Sequence, residues 1–321
     1  MFVNTNFPKA RRYWHNGAFH DWSEGGLHPA MHALHYGSCI FEGIRAYGTA
    51  KGPAVFRLPE HNDRFLLSAD AARMACPHTK DQIADLIKRT VRENGLDSCY
   101  IRPLLFYSYG NLGLVPKACP VELFICAWEW GAYLGENAAR GVNTLIVPER
   151  RIHHTQFNMS AKLGGVYVQS MIAGLDARRG GFDEAVFLNM EGRVAEGPGQ
   201  NVFIVKGRKL VTNGRTESAL EGITRTSILE LGRDLGYETE VGPIAKEDLF
   251  GADEAFYCGT AVEIIPIVTV TDGSDPAGPR TKRVIGSGKP GPVVQGLIQA
   301  FQDAVHGRAP RYEKWLTHVG K

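Results

Sequence analysis

The chain has 321 residues, 36 Lys+Arg against 34 Asp+Glu, a formal net charge of +2, and 44% hydrophobic residues. This length corresponds to about two domains, and the apolar content excludes a mainly disordered chain, because enough surface can be buried to offset chain entropy. The near-balance of charge gives no case for a nucleic-acid binder that works by bulk charge.

In chain order, Arg12–His15, the turn Asn16-Gly17 and Ala18–His20 read as a hairpin. Ser38–Ala46 reads as one strand. A helix opens at Leu58 with Pro59 in its first turn, and a second amphipathic helix spans Lys80–Asn94, with Ile83, Leu86, Ile87 and Val91 on one face and Gly95 behind it. Tyr100–Tyr107 and Val121–Trp128 are the next strands, and the turn-rich Gly131–Gly141 reads as a linker. Further on come a strand at Thr144–Pro148, a helix from about Gly165 to Arg179, and strands at Glu184–Asn189 and Asn201–Val205. They are followed by a helix at Thr224–Leu235, a strand at Glu254–Cys258, loop over Asp272–Pro292 and a closing helix at Val293–His306. Strands and helices mix without a strict βαβ rhythm, which favours an α+β fold. The expected division is a small N-terminal domain over 1–129, an interdomain loop over 130–141 and a larger domain over 142–321.

Several patterns resemble sites but are better read as structure. Gly286-Ser287-Gly288-Lys289-Pro290-Gly291 matches GxGxxG, yet almost no strand precedes it and two prolines obstruct the helix start. His28, His32 and His35 would align on a helix, but no acidic residue lies among them and HExxH is absent, so no metal site is expected. The six cysteines contain no CxxC pair, which favours free thiols in a reducing, cytoplasmic setting. No apolar run has the roughly 18 residues of a membrane helix, and Met1–Trp22 has no signal-like apolar core.

One constellation carries chemistry. Lys162 lies among small residues in Asn158-Met159-Ser160-Ala161-Lys162-Leu163-Gly164-Gly165, where a flat ligand could surround its amine and form a Schiff base. Tyr167 follows one helical turn later. Glu196 stands on the turn Gly197-Pro198-Gly199, suited to a ring nitrogen. Leu220-Glu221-Gly222-Ile223-Thr224-Arg225 runs into a helix whose first amides and Thr224 hydroxyl make a phosphate seat. Gly259-Thr260-Ala261 closes a strand with a second hydroxyl. Lysine, carboxylate, phenol and phosphate donors together match pyridoxal 5'-phosphate.

These motifs resemble the fold-type IV pyridoxal-phosphate enzymes. His35-Tyr36-Gly37-Ser38-Cys39-Ile40-Phe41-Glu42-Gly43-Ile44-Arg45, Tyr100-Ile101-Arg102-Pro103 and Trp130-Gly131-Ala132-Tyr133-Leu134-Gly135 are similar to branched-chain aminotransferase motifs. The resemblance covers nearly the whole chain. It implies that Lys162 holds the cofactor covalently and shuttles the proton, Glu196 pairs with the pyridine nitrogen and Tyr167 bonds the ring hydroxyl. It places Arg64, Ile223, Thr224 and Thr260 at the phosphate, and packs Leu220 on the ring. Tyr36, Phe41, Gly43, Tyr100, Arg102, Trp130, Tyr133 and Ala261 would line the substrate pocket, with Tyr36 helping Arg102 bind a second carboxylate. Leu112 and Leu114 would reach in from a partner subunit, making a homodimer at least, with a hexamer as a larger option. The implied reaction exchanges amino groups between leucine, isoleucine or valine and 2-oxoglutarate. The neighbouring reaction on (R)-amines or D-amino acids, and a nicotinamide oxidoreductase using the glycines near Gly286, are the alternatives. Gln200 stands where many family members carry Glu, which would weaken the charge near Glu196.

Overall fold

The protein is described from a computed structural model covering residues 7–130 and 140–320. The chain forms two compact units, one holding the residues up to 131 with 161–165 and 303–321, the other 132–160 and 166–302. The expected second domain of 142–321 therefore differs from the structure at two places. Its last nineteen residues and the five residues around Lys162 group with the first unit.

The first unit is built on strands β1 (Arg12–His15), β2 (Ala18–Asp21), β3 (Cys39–Phe41), β4 (Ile44–Thr49), β5 (Gly52–Phe56), β6 (Cys99–Tyr107) and β7 (Val121–Trp128). It adds helices α1 (His32–Tyr36), α2 (Leu58–Ala71) and α3 (Lys80–Asn94). The C-terminal strand Leu316–His318 pairs with β5, and the sheet runs on through β4, β6, β7, β1 and β2, with β3 also on β6. α3 starts where Thr79 and Gln82 cap each other and stops at Gly95, whose φ of 62° is left-handed. It buries Ile83, Ile87 and Val91 in a core shared with Ile40, Ile44, Phe65, Ile101, Leu123 and Ile125.

The single strand expected over Ser38–Ala46 is two strands in one register, because β3 ends at Phe41 opposite Leu104 and β4 begins at Ile44 opposite Ile101. Pro103 lies opposite this gap and has no N–H, so it can only accept, and the Glu42 amide donates to its carbonyl at 3.0 Å. The interruption frees Glu42 and Gly43 from the regular pleat.

The second unit carries β8 (Val142–Arg150), β9 (Glu184–Leu188), β10 (Asn201–Lys206), β11 (Lys209–Thr212), β12 (Glu238–Val241), β13 (Glu254–Gly259), β14 (Glu263–Asp272) and β15 (Thr281–Val284). Its helices are α4 (Tyr167–Arg179), α5 (Ile223–Asp234), α6 (Lys246–Phe250) and α7 (Pro292–Val305), the last of which leads back into the first unit. The strand order is β12-β11-β10-β13-β14-β8-β9, with β15 on β14, and parallel and antiparallel pairs mix in one sheet. This is an α+β fold. The segment Asp272–Pro292 is not all loop, since Thr281–Val284 forms β15. The linker expected over Gly131–Gly141 falls mostly outside the described residues.

The glycine run Gly286–Gly291 is the turn between β15 and α7. Glu254 reaches this helix start, where its carboxylate accepts the amides of Val293 at 3.0 Å and Val294 at 2.9 Å. A side chain at Gly291 would fall 2.1 Å from that carboxylate. The positive end of α7 thus already holds the protein's own anion, which removes the dinucleotide reading of this motif.

Candidate active site

In the first unit the backbone around Lys162 is pinned from two sides. Its amide donates to the Ser68 hydroxyl of α2 at 2.8 Å, and its carbonyl accepts from the Phe41 amide at 3.2 Å. Lys162 Nζ lies 4.8 Å from the Phe41 ring centroid, and the Arg102 guanidinium lies 4.6 Å from the same centroid. An amine and a guanidinium are thus gathered on one aromatic ring. The small residues after Lys162 also serve packing within this unit. A Cβ on Gly164 would lie 2.3 Å from Cys39 Sγ, and one on Gly37 would lie 3.1 Å from the Gly165 Cα.

Arg102 donates from Nη2 to the Tyr100 hydroxyl at 2.9 Å, while its buried Nε meets no hydrogen-bond partner among the described residues. Tyr100 stacks on Trp130, with centroids 4.8 Å apart, and tilts against Trp128. Gly43 is dictated by this arrangement, since a Cβ there would sit 2.1 Å from the Tyr100 hydroxyl. Tyr36 does not join Arg102. It ends α1 half exposed and donates to the Leu112 carbonyl at 2.9 Å, so the hydroxyl beside Arg102 is Tyr100's. His32, on the same helix, contacts the Gly113 carbonyl at 3.1 Å, and together they hold the loop that exposes Leu112 and Leu114. His28 lies before α1, so the three histidines do not align. Among the described residues no group of His, Cys, Asp or Glu could hold a metal ion. Tyr133 lies outside the described residues.

Arg64 is placed on a carboxylate that the sequence reading missed. Glu42, in the gap between β3 and β4, is fully buried and accepts Arg64 Nε at 2.6 Å, Arg64 Nη2 at 2.9 Å and His61 Nδ1 at 2.7 Å. Burial would raise the Glu42 carboxyl, but the charge and hydrogen bonds of Arg64, then His61, outweigh it and hold Glu42 well below the usual carboxylate range. Burial lowers His61 despite the pull of Glu42, so the imidazole is neutral.

In the second unit Glu196 is buried at the end of a short link after β9. Arg151 Nε donates to its Oε1 at 2.9 Å, with Nη2 at 2.9 Å from the same oxygen, and the Leu220 amide donates to Oε2 at 2.9 Å. Arg151 is itself buried, reaching Gln169 at 3.1 Å and Ser170 at 3.2 Å and lying over Phe187. The Leu220 carbonyl is held by Asn201 Nδ2 at 2.6 Å, and Gly222 is required because a Cβ there would fall 2.1 Å from Asn201 Oδ1. The turn Leu220–Ile223 is therefore fixed at both ends. It delivers α5 with glycine at its N-cap and no side-chain cap on its first amides, next to buried Thr224. Thr260 and Ala261 form the half-buried turn between β13 and β14, and Tyr167 opens α4.

Gln200 faces away from the role expected for it. Its Nε2 donates to the buried Glu184 at 2.7 Å, and burial raises the Glu184 carboxyl. A glutamate at 200 would set two buried carboxylates against each other, so the amide answers Glu184, not Glu196.

The donor set fits pyridoxal phosphate. A carboxylate can take about four hydrogen bonds, and Glu196 has three nitrogens upon it, leaving acceptor capacity for a protonated ring nitrogen. The uncapped start of α5 offers amides to a phosphate. Arg151, Glu42 and His61 escaped the sequence reading for different reasons. Arg151 follows Glu149-Arg150 and looks like a solvated strand end, whereas a lone carboxylate in the apolar Cys39–Ile44 run was a legible signal.

Comparison with known proteins agrees with this architecture. Residues 39–270 match the family model described as Amino-transferase class IV. The chain is 40% identical over 307 residues to a branched-chain-amino-acid aminotransferase of Pseudomonas aeruginosa, covering 95% of this chain and 96% of that protein. It is 38% identical over 315 residues to the branched-chain-amino-acid aminotransferase of Escherichia coli, covering 98% of this chain and 99% of that protein. It superposes with a TM-score of 0.90 and 43% identity on a solved T.th. branched-chain amino acid aminotransferase with pyridoxamine 5'-phosphate, covering 98% and 100% of the two chains. Another structure of that T.th. enzyme, complexed with N-(5'-phosphopyridoxyl)-L-glutamate, matches with a TM-score of 0.89 and 41% identity over 98% of this chain and 100% of that one. The chain belongs to the class IV aminotransferases, and its cofactor is pyridoxal 5'-phosphate.

Proposed function

We propose that the protein transfers amino groups between leucine, isoleucine or valine and 2-oxoglutarate, yielding branched-chain 2-oxo acids and L-glutamate. The observation that carries this reading is Phe41 with Lys162 and Arg102 on its ring, beside Tyr100 and Trp130. Aromatic walls suit an aliphatic side chain, and a guanidinium with an unpartnered buried Nε suits the second carboxylate of glutamate. The name of the Pseudomonas relative and the phosphopyridoxyl-glutamate bound by the T.th. enzyme support both halves of the exchange.

Pyridoxal phosphate supplies an aldehyde for the amino group and a ring that accepts electrons released at the substrate's α-carbon. Lys162 Nζ is the nucleophile and afterwards carries the proton to and from that carbon. Glu196, oriented by Arg151 and the Leu220 amide, holds the proton on the ring nitrogen. Tyr167 bonds the ring hydroxyl, and Leu220 packs on the ring. Arg64 is read as a phosphate ligand, and so, in the second unit, are the amides of Ile223 and Thr224 and the hydroxyls of Thr224 and Thr260. Phe41, Gly43, Tyr100 and Trp130 shape the substrate pocket, and Arg102 selects the acidic partner.

The working unit is a homodimer. Leu114, 75% exposed, and half-exposed Leu112 sit on a loop fixed by Tyr36 and His32, as suits residues that complete a neighbour's pocket. We assign the enzyme to the cytoplasm, where six free cysteines are stable. The test is a panel of amino donors with 2-oxoglutarate as acceptor, reading glutamate formed. Leucine, isoleucine and valine should lead. Faster turnover of (R)-1-phenylethylamine or D-alanine than of leucine would move the reading to the amine or D-amino-acid reaction.

A further inference from the structure

We propose that Glu42 is a positioning residue for the cofactor's phosphate, acting by fixing the guanidinium of Arg64. The proposal rests on the reading of Arg64 as a phosphate ligand. Glu42 sits in an apolar strand pair with no exposed surface, where a carboxylate is costly unless fully paired. It is paired by a two-pronged contact, with Oε1 on Arg64 Nε at 2.6 Å and Oε2 on Arg64 Nη2 at 2.9 Å. Two parallel bonds fix the plane of a guanidinium as one bond does not. They occupy the Nε–Nη2 edge, so the opposite, Nη1 side is turned away from Glu42 in a set direction.

The support continues along one face of α2. His61, three residues before Arg64, donates to Glu42 Oε2 at 2.7 Å and locks the carboxylate. Ser68, four residues after Arg64, donates to the Arg64 carbonyl at 2.7 Å and accepts the Lys162 amide at 2.8 Å. A single helical face therefore sets the Arg64 side chain and the Lys162 backbone. Phe41, the residue before Glu42, holds the Lys162 carbonyl at 3.2 Å. Replacing a buried ion pair by apolar residues is often neutral for stability, so stability alone gives no reason for a charged pair at this place. Fixing a phosphate-binding guanidinium relative to the reactive lysine does give one.

The test compares binding of pyridoxal phosphate and of pyridoxal, which lacks the phosphate, to enzyme stripped of cofactor, followed by absorbance titration. In Glu42→Gln the preference for the phosphorylated form should fall by about one to two decades, with pyridoxal affinity little changed. Glu42→Asp, which keeps the charge but withdraws it by one methylene, should fall in the same direction and serves if the Gln variant does not fold. An equal loss for both ligands, or an unchanged preference in a folded variant, overturns the proposal. Arg64→Gln separates the two readings. If it leaves the preference intact, Arg64 does not bind the phosphate and the underlying assignment fails. If it abolishes the preference while the Glu42 variants keep it, only the role of Glu42 falls.

Discussion

Arg102 touches Phe41 and Tyr100, whereas Glu42 is engaged by Arg64 and Glu129 by Lys9 at 2.7 Å. It is therefore available to a substrate carboxylate. Arg102→Met should slow the glutamate half-reaction by about one to two decades more than the leucine half-reaction, the worth of one charge-assisted hydrogen bond. Single-turnover kinetics with each donor would show it, and equal losses would mark Arg102 as structural. Arg151 is predicted to matter first for stability, because removing one partner of a buried ion pair leaves the other charge uncompensated. Arg151→Met should destabilise the fold by about 3–5 kcal/mol in urea unfolding, with Arg151→Lys intermediate because an ammonium cannot span two contacts. A loss below about 1 kcal/mol would mean that solvent reaches Glu196. At this scale the sequence was legible where a residue type is unusual in its setting, as with Lys162 among small residues and Glu196 on a glycine turn. It was not legible where a long side chain returns from a distant strand, as Arg151 does, 45 positions from Glu196.

Elements with their own caps and stripes were legible. The helix expected over Lys80–Asn94 has those bounds in the structure, because Thr79, Gly95 and the Ile83–Ile87–Val91 stripe encode both ends and the buried face. Strands without alternation were not. β14 contains Pro266 and is buried along nearly its whole length, and β15 is an exposed edge strand reading Thr-Lys-Arg-Val. The interruption between β3 and β4 depends on Pro103 of another strand, so no local pattern announces it. The GxGxxG match was legible as loop from its two prolines, and the structure adds that Glu254, 39 residues away, occupies α7's amides. Glu254→Ala should remove two amide partners at this helix start and cost about 0.5–2 kcal/mol, the range for lost N-caps. Chemical denaturation would check it, and an unchanged midpoint would show that other groups satisfy those amides.

Among the described residues, α4 carries apolar side chains on two faces. α4 buries Ala173 and Ala177, yet Val168, Met171, Ile172 and Leu175, at helical spacing on its other side, are each about half exposed. Single exposed apolar residues are ordinary, but a stripe of four marks an interaction surface. The proposed dimer would cover this stripe. Met171→Glu together with Ile172→Glu should yield monomers in light scattering at concentrations where the unaltered protein is dimeric, and activity should fall with the dimer. Dimers surviving unchanged would place the interface elsewhere.

The central claim is that this aminotransferase works through the amine held on Phe41. The direct measurement is borohydride reduction of the cofactor-loaded enzyme, followed by proteolysis and mass mapping of the phosphopyridoxyl label. The label is predicted on the peptide containing Asn158–Gly165, at Lys162 alone, and it should be absent when excess leucine has first converted the cofactor to its amine form. A label on another lysine, or one that leucine does not diminish, would contradict the account.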